Sequence, residues 1–248
     1  MPFFFAVALF GLSLLSACCP PPLRGNPELP YPPPRPPAIG DILHLPTGYY
    51  VSPEQMLAAA TEARIVYVGE THDNPASHRL ELSVLKGLAD RHPGNVALGM
   101  EMFTPAQQPV LDRWVAGELG EREFLKASHW YETWQMDFDY YRDLLLFARE
   151  RHIPVLGLNA DKALVHAVAR NDFAALAPEQ RALLPELDQS DPYAAALNKS
   201  IFGGHDAGSA GTAGFARVQT LWDETMAENV ARYLASPQGE TQHLLVVA

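Results

Sequence analysis

Four short apolar runs punctuate the chain: Ile65–Val68, Asn95–Met102, Val155–Leu158 and His243–Val247. Each is too short for a stable helix, and nearly unbroken apolar character is what a strand buried on both faces requires. Between the runs the apolar period changes. Leu80, Val84, Leu85 and Leu88 recur at helical spacing within Pro75–Arg91, and Pro93-Gly94 stops the pattern. Thr104-Pro105 starts a second helix with a capping hydroxyl and a first-turn proline, and it continues through Leu111 and Val115 to Gly117. Further helices are predicted over Glu121–Ser128, Asp139–His152 (closed by Pro154), Asp161 to Arg170, and Gln219–Leu234. Residues 171–217 are less regular, Gly203–Gly214 reads as a mobile loop, and no internal repeat is present. Strands alternating with helices give an α/β fold, a mostly parallel sheet with helices on both faces. In such sheets ligands bind beyond the carboxyl ends of the strands.

The strand ends are polar in a consistent way. The first run ends in Gly69-Glu70-Thr71-His72-Asp73, the second in Gly99-Met100-Glu101-Met102, and the third in Gly157-Leu158-Asn159-Ala160-Asp161. If these strands are neighbours, Glu70, His72, Glu101 and Asn159 converge in one cleft. Helices opening after the first and third runs add partial positive charge to the same region. A single glutamate at a strand end is ordinarily a surface residue or a cap; three strands doing this together point to a site. Glutamate and histidine can hold a divalent metal that activates water, or act as a general base without one, with Glu70, His72 and Glu101 as the catalytic set. His78, on the first turn of the following helix, either turns back to this cleft or caps the helix at the surface. Gly69 stands alone, so the Gly-rich turn of a dinucleotide site is absent.

The net charge of −11 argues against nucleic acid as a partner. Apolar residues make up 48% of the 248, enough for a sizeable core. The N-terminus sets location. Phe3–Leu15 has signal-peptide length and ends in Leu15-Ser16-Ala17-Cys18, a lipobox that would lipidate Cys18, although MPFFF lacks the usual Lys or Arg. Ten prolines between Pro20 and Pro37 make an extended tether. The expected organisation is a signal peptide over 1–17, a tether over 18–38 and one domain over 39–248, lipid-anchored in a bacterial envelope. Cys18 and Cys19 are the two cysteines, so the domain uses neither disulfides nor thiolate ligands.

Residues 130–141 carry six aromatics interleaved with polar residues. Aromatic clusters are most often core; the interleaving fits a large planar ligand held by apolar faces and a few polar anchors. Tyrosinate is one axial ligand of haem iron. Tyr131, Tyr140 and Tyr141 are candidates, with His129 and Met136 behind them, and spacing does not choose among them.

Three motifs, GETHDNPASH, ALGMEMF and WQMDFDYYRDLLLFARERHIPVLGLNAD, resemble the ChaN-like haem-binding lipoproteins of the Tiki superfamily, which also includes TraB proteins and erythromycin esterases. The likeness spans roughly residues 64–235. It implies an α/β domain, iron-regulated expression, haem in a pocket completed by a homodimer, and a tyrosine on the iron. Trp134, Asp139 and Tyr141 would line that pocket with Tyr141 as the iron ligand; the expected haem-binding set is Tyr141, Tyr140, Trp134, His129, His72 and His78. The membrane partner would be the outer membrane, reached through the lipid. In this superfamily a histidine-bearing turn follows the last strand, whereas here the sequence given ends at Ala248, which reads as a truncated C-terminus. The alternative is a hydrolase, metal-dependent or based on Glu70, His72 and Glu101.

Overall fold

The computed structural model describes residues 33–188, 190–193, 196–197 and 209–248. The expected signal peptide, the lipidation site expected at Cys18 and the expected tether up to Pro32 lie outside the described residues. Among the described residues no helix is long and apolar enough to cross a membrane.

The chain divides into two compact units between residues 56 and 57, the first described from residue 33. In the first, β1 (Ile42–His44) and β2 (Tyr49–Val51) form an antiparallel hairpin in which Leu43 faces Tyr50. Gly48 turns the chain at a φ of 70°, a left-handed value that favours glycine. The Arg35 guanidinium grips Asp41, 2.7 Å from Nη2 to Oδ1, and lies 4.2 Å over the Tyr50 ring. Sequence periodicity did not reveal this hairpin, because three-residue strands are too short to display a period. Helix α1 (Pro53–Ala60), also unpredicted, leads from this unit into the next.

The second unit is a parallel four-stranded sheet. Its strands are β3 (Ile65–Val68), β4 (Val96–Met100), β5 (Val155–Gly157) and β6 (His243–Val247), in spatial order β3-β6-β4-β5. β6 therefore lies between β3 and β4, so the first two polar strand ends are not neighbours as the convergence argument assumed. The central place suits β6: Leu244 and Val246 face one layer, Leu245 and Val247 the other, and all four are buried.

Helices cover both faces. Helix α2 (Pro75–Arg91), α3 (Gln108–Val115), α4 (Glu121–Ala127), α5 (Trp130–Thr133) and α6 (Asp139–Glu150) surround the larger core, where Leu85, Leu88, Trp114, Phe124 and Leu145 meet Leu98 and Leu245. Each buried aliphatic side chain is worth roughly 1.5–3 kcal/mol. After β5 come α7 (Lys162–Arg170), α8 (Pro178–Arg181) and α9 (Ser209–Leu234). Val230 of α9 packs on Ala97, Leu244 and Val246 across the opposite face. α9 begins ten residues before the predicted Gln219, so Ser209–Gly214 is helical where a loop was expected; the rest of that loop, 203–208, lies outside the described residues. Gly214 is tolerated because a Cβ there would fall 2.5 Å from the Ala169 carbonyl oxygen, a close approach of α9 to α7 that no other residue permits.

Candidate functional site

Glu70 is the centre of the carboxyl end of the sheet. Its backbone N–H donates to the Ala248 carbonyl at 3.0 Å, while Glu101, after β4, donates to the Val247 carbonyl at 3.0 Å. The end of β6 thus separates the two glutamates and fixes both. The Glu70 side chain is fully shielded from solvent. Its Oε1 accepts from His72 Nδ1 at 2.6 Å and from the Tyr141 hydroxyl at 2.6 Å. These are short charge-assisted bonds.

His78 and Glu81 complete the group from below. Asn74 caps α2 by accepting from the Ala76 N–H at 3.0 Å, and Pro75 opens the first turn, so the helix starts where its first two turns face Glu70. His78 Nε2 donates to the His72 carbonyl at 3.1 Å, because a carbonyl can only accept. Its Nδ1 then faces Glu70 Oε2 and Glu81 Oε2, each at 3.3 Å. Glu81 has no exposed surface. Two carboxylate oxygens in the group, Glu70 Oε2 and Glu81 Oε1, are buried and take no donor from any other residue.

The electrostatics follow from this crowding. Burial pushes Glu81 up to about 9, with the Glu70 carboxylate adding to the shift. Burial also raises Glu70, but hydrogen bonds from His72 and Tyr141 outweigh it and hold Glu70 below the usual carboxylate range. The bond to Glu70 raises His72. Burial, then Glu70, raises the Tyr141 phenol. Glu101 is raised by burial, and the charge of His72 works in the other direction. One proton is therefore held between Glu81 and Glu70 near neutral pH.

Aromatic rings wall this network. His72 meets Trp134 edge-on with centroids 4.8 Å apart, and His78 stacks on Tyr140 at 5.2 Å and meets Tyr141 edge-on at 4.6 Å. On the outer side of His78, a cavity of about 180 Å³ is lined by Pro75, Arg79, Leu82, Tyr140 and Asp143.

The predicted site residues separate into two groups. Glu70, His72, His78, Trp134, Tyr140 and Tyr141 come together, with Glu101 close enough to act on His72 electrostatically. Asn159 does not join them: its side chain accepts from the Ala160 N–H at 2.7 Å, a local turn satisfied within its own backbone. His129 is exposed at a left-handed φ of 53° and serves α5 through its carbonyl, which accepts from the Thr133 N–H. Met136 packs against the core and its carbonyl accepts from Trp130 Nε1 at 2.7 Å. The aromatic segment is partly plain core, since Trp130, Phe138 and Tyr141 have no exposed surface. Tyr141, the expected iron ligand, has its hydroxyl occupied by Glu70. Glu81 was missed by sequence reasoning, although it sits on the stripe of α2 that otherwise buries Val84, Leu85 and Leu88. A charged residue on an apolar stripe was the available signal.

A family model described as haem-binding uptake, Tiki superfamily, ChaN matches residues 56–248. The solved structure described as cofacial haem binding to ChaN of Campylobacter jejuni is similar at a TM-score of 0.65 and 16% identity, over 84% of this chain and 78% of that one. The C-terminal region of Pasteurella multocida toxin matches at a TM-score of 0.45 and 14% identity, over 80% of this chain and 20% of that one. The type III effector HopBA1 matches at 0.43 and 14%, over 78% and 70%. No curated protein matches the chain.

Proposed function

This chain belongs to the ChaN family of haem-binding uptake proteins in the Tiki superfamily, and from that premise we propose that it captures haem at the bacterial envelope, tethered there through Cys18. The observation that carries the binding surface is the cavity outside His78. Leu82 and Leu144 offer apolar contact to a porphyrin face, Arg79 offers a cation for the propionates, and Tyr140 offers a phenol. When bound, haem supplies an iron that accepts an axial oxygen ligand.

A cavity of about 180 Å³ is smaller than the roughly 300–1,000 Å³ of pockets that enclose small ligands. One chain therefore covers part of a haem, and a second copy supplies the opposite wall, which supports the homodimer. Tyr140 is the tyrosine we place on the iron: it is half-buried and lines the cavity, whereas Tyr141 would first have to leave Glu70. The Glu70 network then stiffens the wall behind Tyr140 through His78.

Haem titration of the full chain, followed by absorption and by mass, tests this reading. Saturable binding with a tyrosinate-type spectrum, lost in Tyr140→Phe and kept in Tyr141→Phe, is the expected result. Loss in Tyr141→Phe alone would move the iron to Tyr141 with Glu70 as proton acceptor. Retention in both variants would end the tyrosine assignment, and a monomer at haem saturation would end the shared pocket.

A further inference from the structure

We propose that Glu70, His78 and Glu81 form a divalent-metal site, separate from any haem iron. One donor atom from each residue lies within 4.8 Å of the other two. The His78 Nδ1 stands 3.3 Å from an oxygen of each glutamate. Ligands about 2.1 Å from a tetrahedral metal stand roughly 3.4 Å apart, so two of the three separations already suit an ion held between them. The remaining pair lies within 4.8 Å.

The groups around the donors are arranged as outer partners of a metal site are. Metal-bound histidines give their other ring N–H to a carbonyl or carboxylate, which fixes the tautomer. His78 does this with the His72 carbonyl at 3.1 Å, leaving the Nδ1 lone pair for the interior. Ligating carboxylates are themselves hydrogen-bonded. Glu70 Oε1 takes both His72 and Tyr141, leaving Oε2 buried, without a donor from any other residue, and turned to the same point. Glu81 Oε1 is likewise buried without such a donor. Buried carboxylates left to share a single proton are costly, and a cation that displaces that proton removes much of the cost. Once an ion displaces the proton held between Glu70 and Glu81, two carboxylates and a neutral imidazole carry a charge of about −2, which a divalent ion balances. One nitrogen and two hard oxygens select the Mn²⁺, Fe²⁺ and Zn²⁺ range.

The test uses the full chain, stripped by chelator and free of haem, titrated with Zn²⁺ and separately with Mn²⁺. Calorimetry and metal content after gel filtration read the binding. One equivalent per chain is expected, with affinity lowered at least tenfold in Glu81→Gln and in His78→Gln. The exposed His166→Ala on α7 should bind as the parent does. Thermal melts of each variant without metal establish folding, and Glu81→Gln, a neutral isostere of the protonated acid, keeps its fold. Absence of stoichiometric binding to the folded parent overturns the site. Stoichiometric binding that Glu81→Gln leaves unchanged also overturns it, by placing the ion elsewhere.

Discussion

Each end of the parallel sheet brings two histidines together, with opposite consequences. At the amino end, His92 (after α2) and His243 (opening β6) stack with centroids 3.5 Å apart and planes 10° apart. His92 Nε2 donates to the Thr61 carbonyl at 2.7 Å and His243 Nδ1 to the Ala63 carbonyl at 2.9 Å, so the pair seals the turn between α1 and β3. At the carboxyl end, His72 and His78 meet Glu70 and Glu81 instead. A carbonyl partner carries no net charge and does not titrate near neutral pH; a carboxylate brings a charge, can take up a proton and binds a divalent cation more strongly. The histidine alone therefore decides nothing, and its partner separates a structural seam from a site.

The largest difference between the two ends should appear in their response to pH. Glu81 is raised from an ordinary 4.5 to about 9. Between those values it carries a proton when folded and loses it on unfolding, so the unfolded chain binds fewer protons and stability falls as pH rises. The drop should amount to several kcal/mol by pH 9, at about 1.4 kcal/mol for each unit of pKa difference. Glu70 acts in the reverse sense and at lower pH: its stabilisation is present above the usual carboxylate range and fades as the solution is acidified through its depressed pKa. Urea unfolding in EDTA at pH 6 and pH 9 measures the Glu81 effect, and Glu81→Gln should remove most of it. A parent chain equally stable at both values would mean that the carboxyl end is as inert as the amino end.

The next effect concerns the bond that holds Glu70. Tyr141→Phe leaves the ring in the core and deletes the 2.6 Å donor to a buried carboxylate. Hydrogen bonds to charged groups are worth about 1.5–3 kcal/mol, and that loss is expected near neutral pH by urea unfolding. A cost below about 0.5 kcal/mol would show that Glu70 is adequately held by His72 alone.

Much of this scaffold was legible in the sequence because its signals were local. Ile65–Val68, Pro75–Arg91 and His243–Val247 form elements over the predicted residues, since β-branched runs, helical spacing of apolar residues and a Pro-Gly stop act on their own neighbours. Strand order was not legible: the insertion of β6 between β3 and β4 is decided by packing on both faces, and no residue in either strand records it. Glu70 and His72 were visible as polar residues ending an apolar run. Glu81 was not singled out, although the register of His78, Glu81, Leu85 and Leu88 places it inside. The aromatic segment misled in part because interleaved polarity marks alternation between core and surface as well as it marks a ligand pocket: Trp130 and Phe138 are core while Tyr131 is 55% exposed.

The smallest effect is the one that isolates the amino end. His92→Phe keeps an aromatic ring against His243 and removes the donor to the Thr61 carbonyl. The expected cost is about 1 kcal/mol, the net worth of one neutral hydrogen bond. Haem absorption and metal affinity should not move, because His92 closes α2 at the end opposite His78 and touches none of the Glu70 network. Urea unfolding and the two titrations on one protein preparation measure all three quantities. A stability loss with unchanged binding keeps the two ends separate. A shift in either titration would mean that α2 transmits strain along its length, from the His92 seam to His78 and Glu81, and the division of the sheet into a seam and a site would fail.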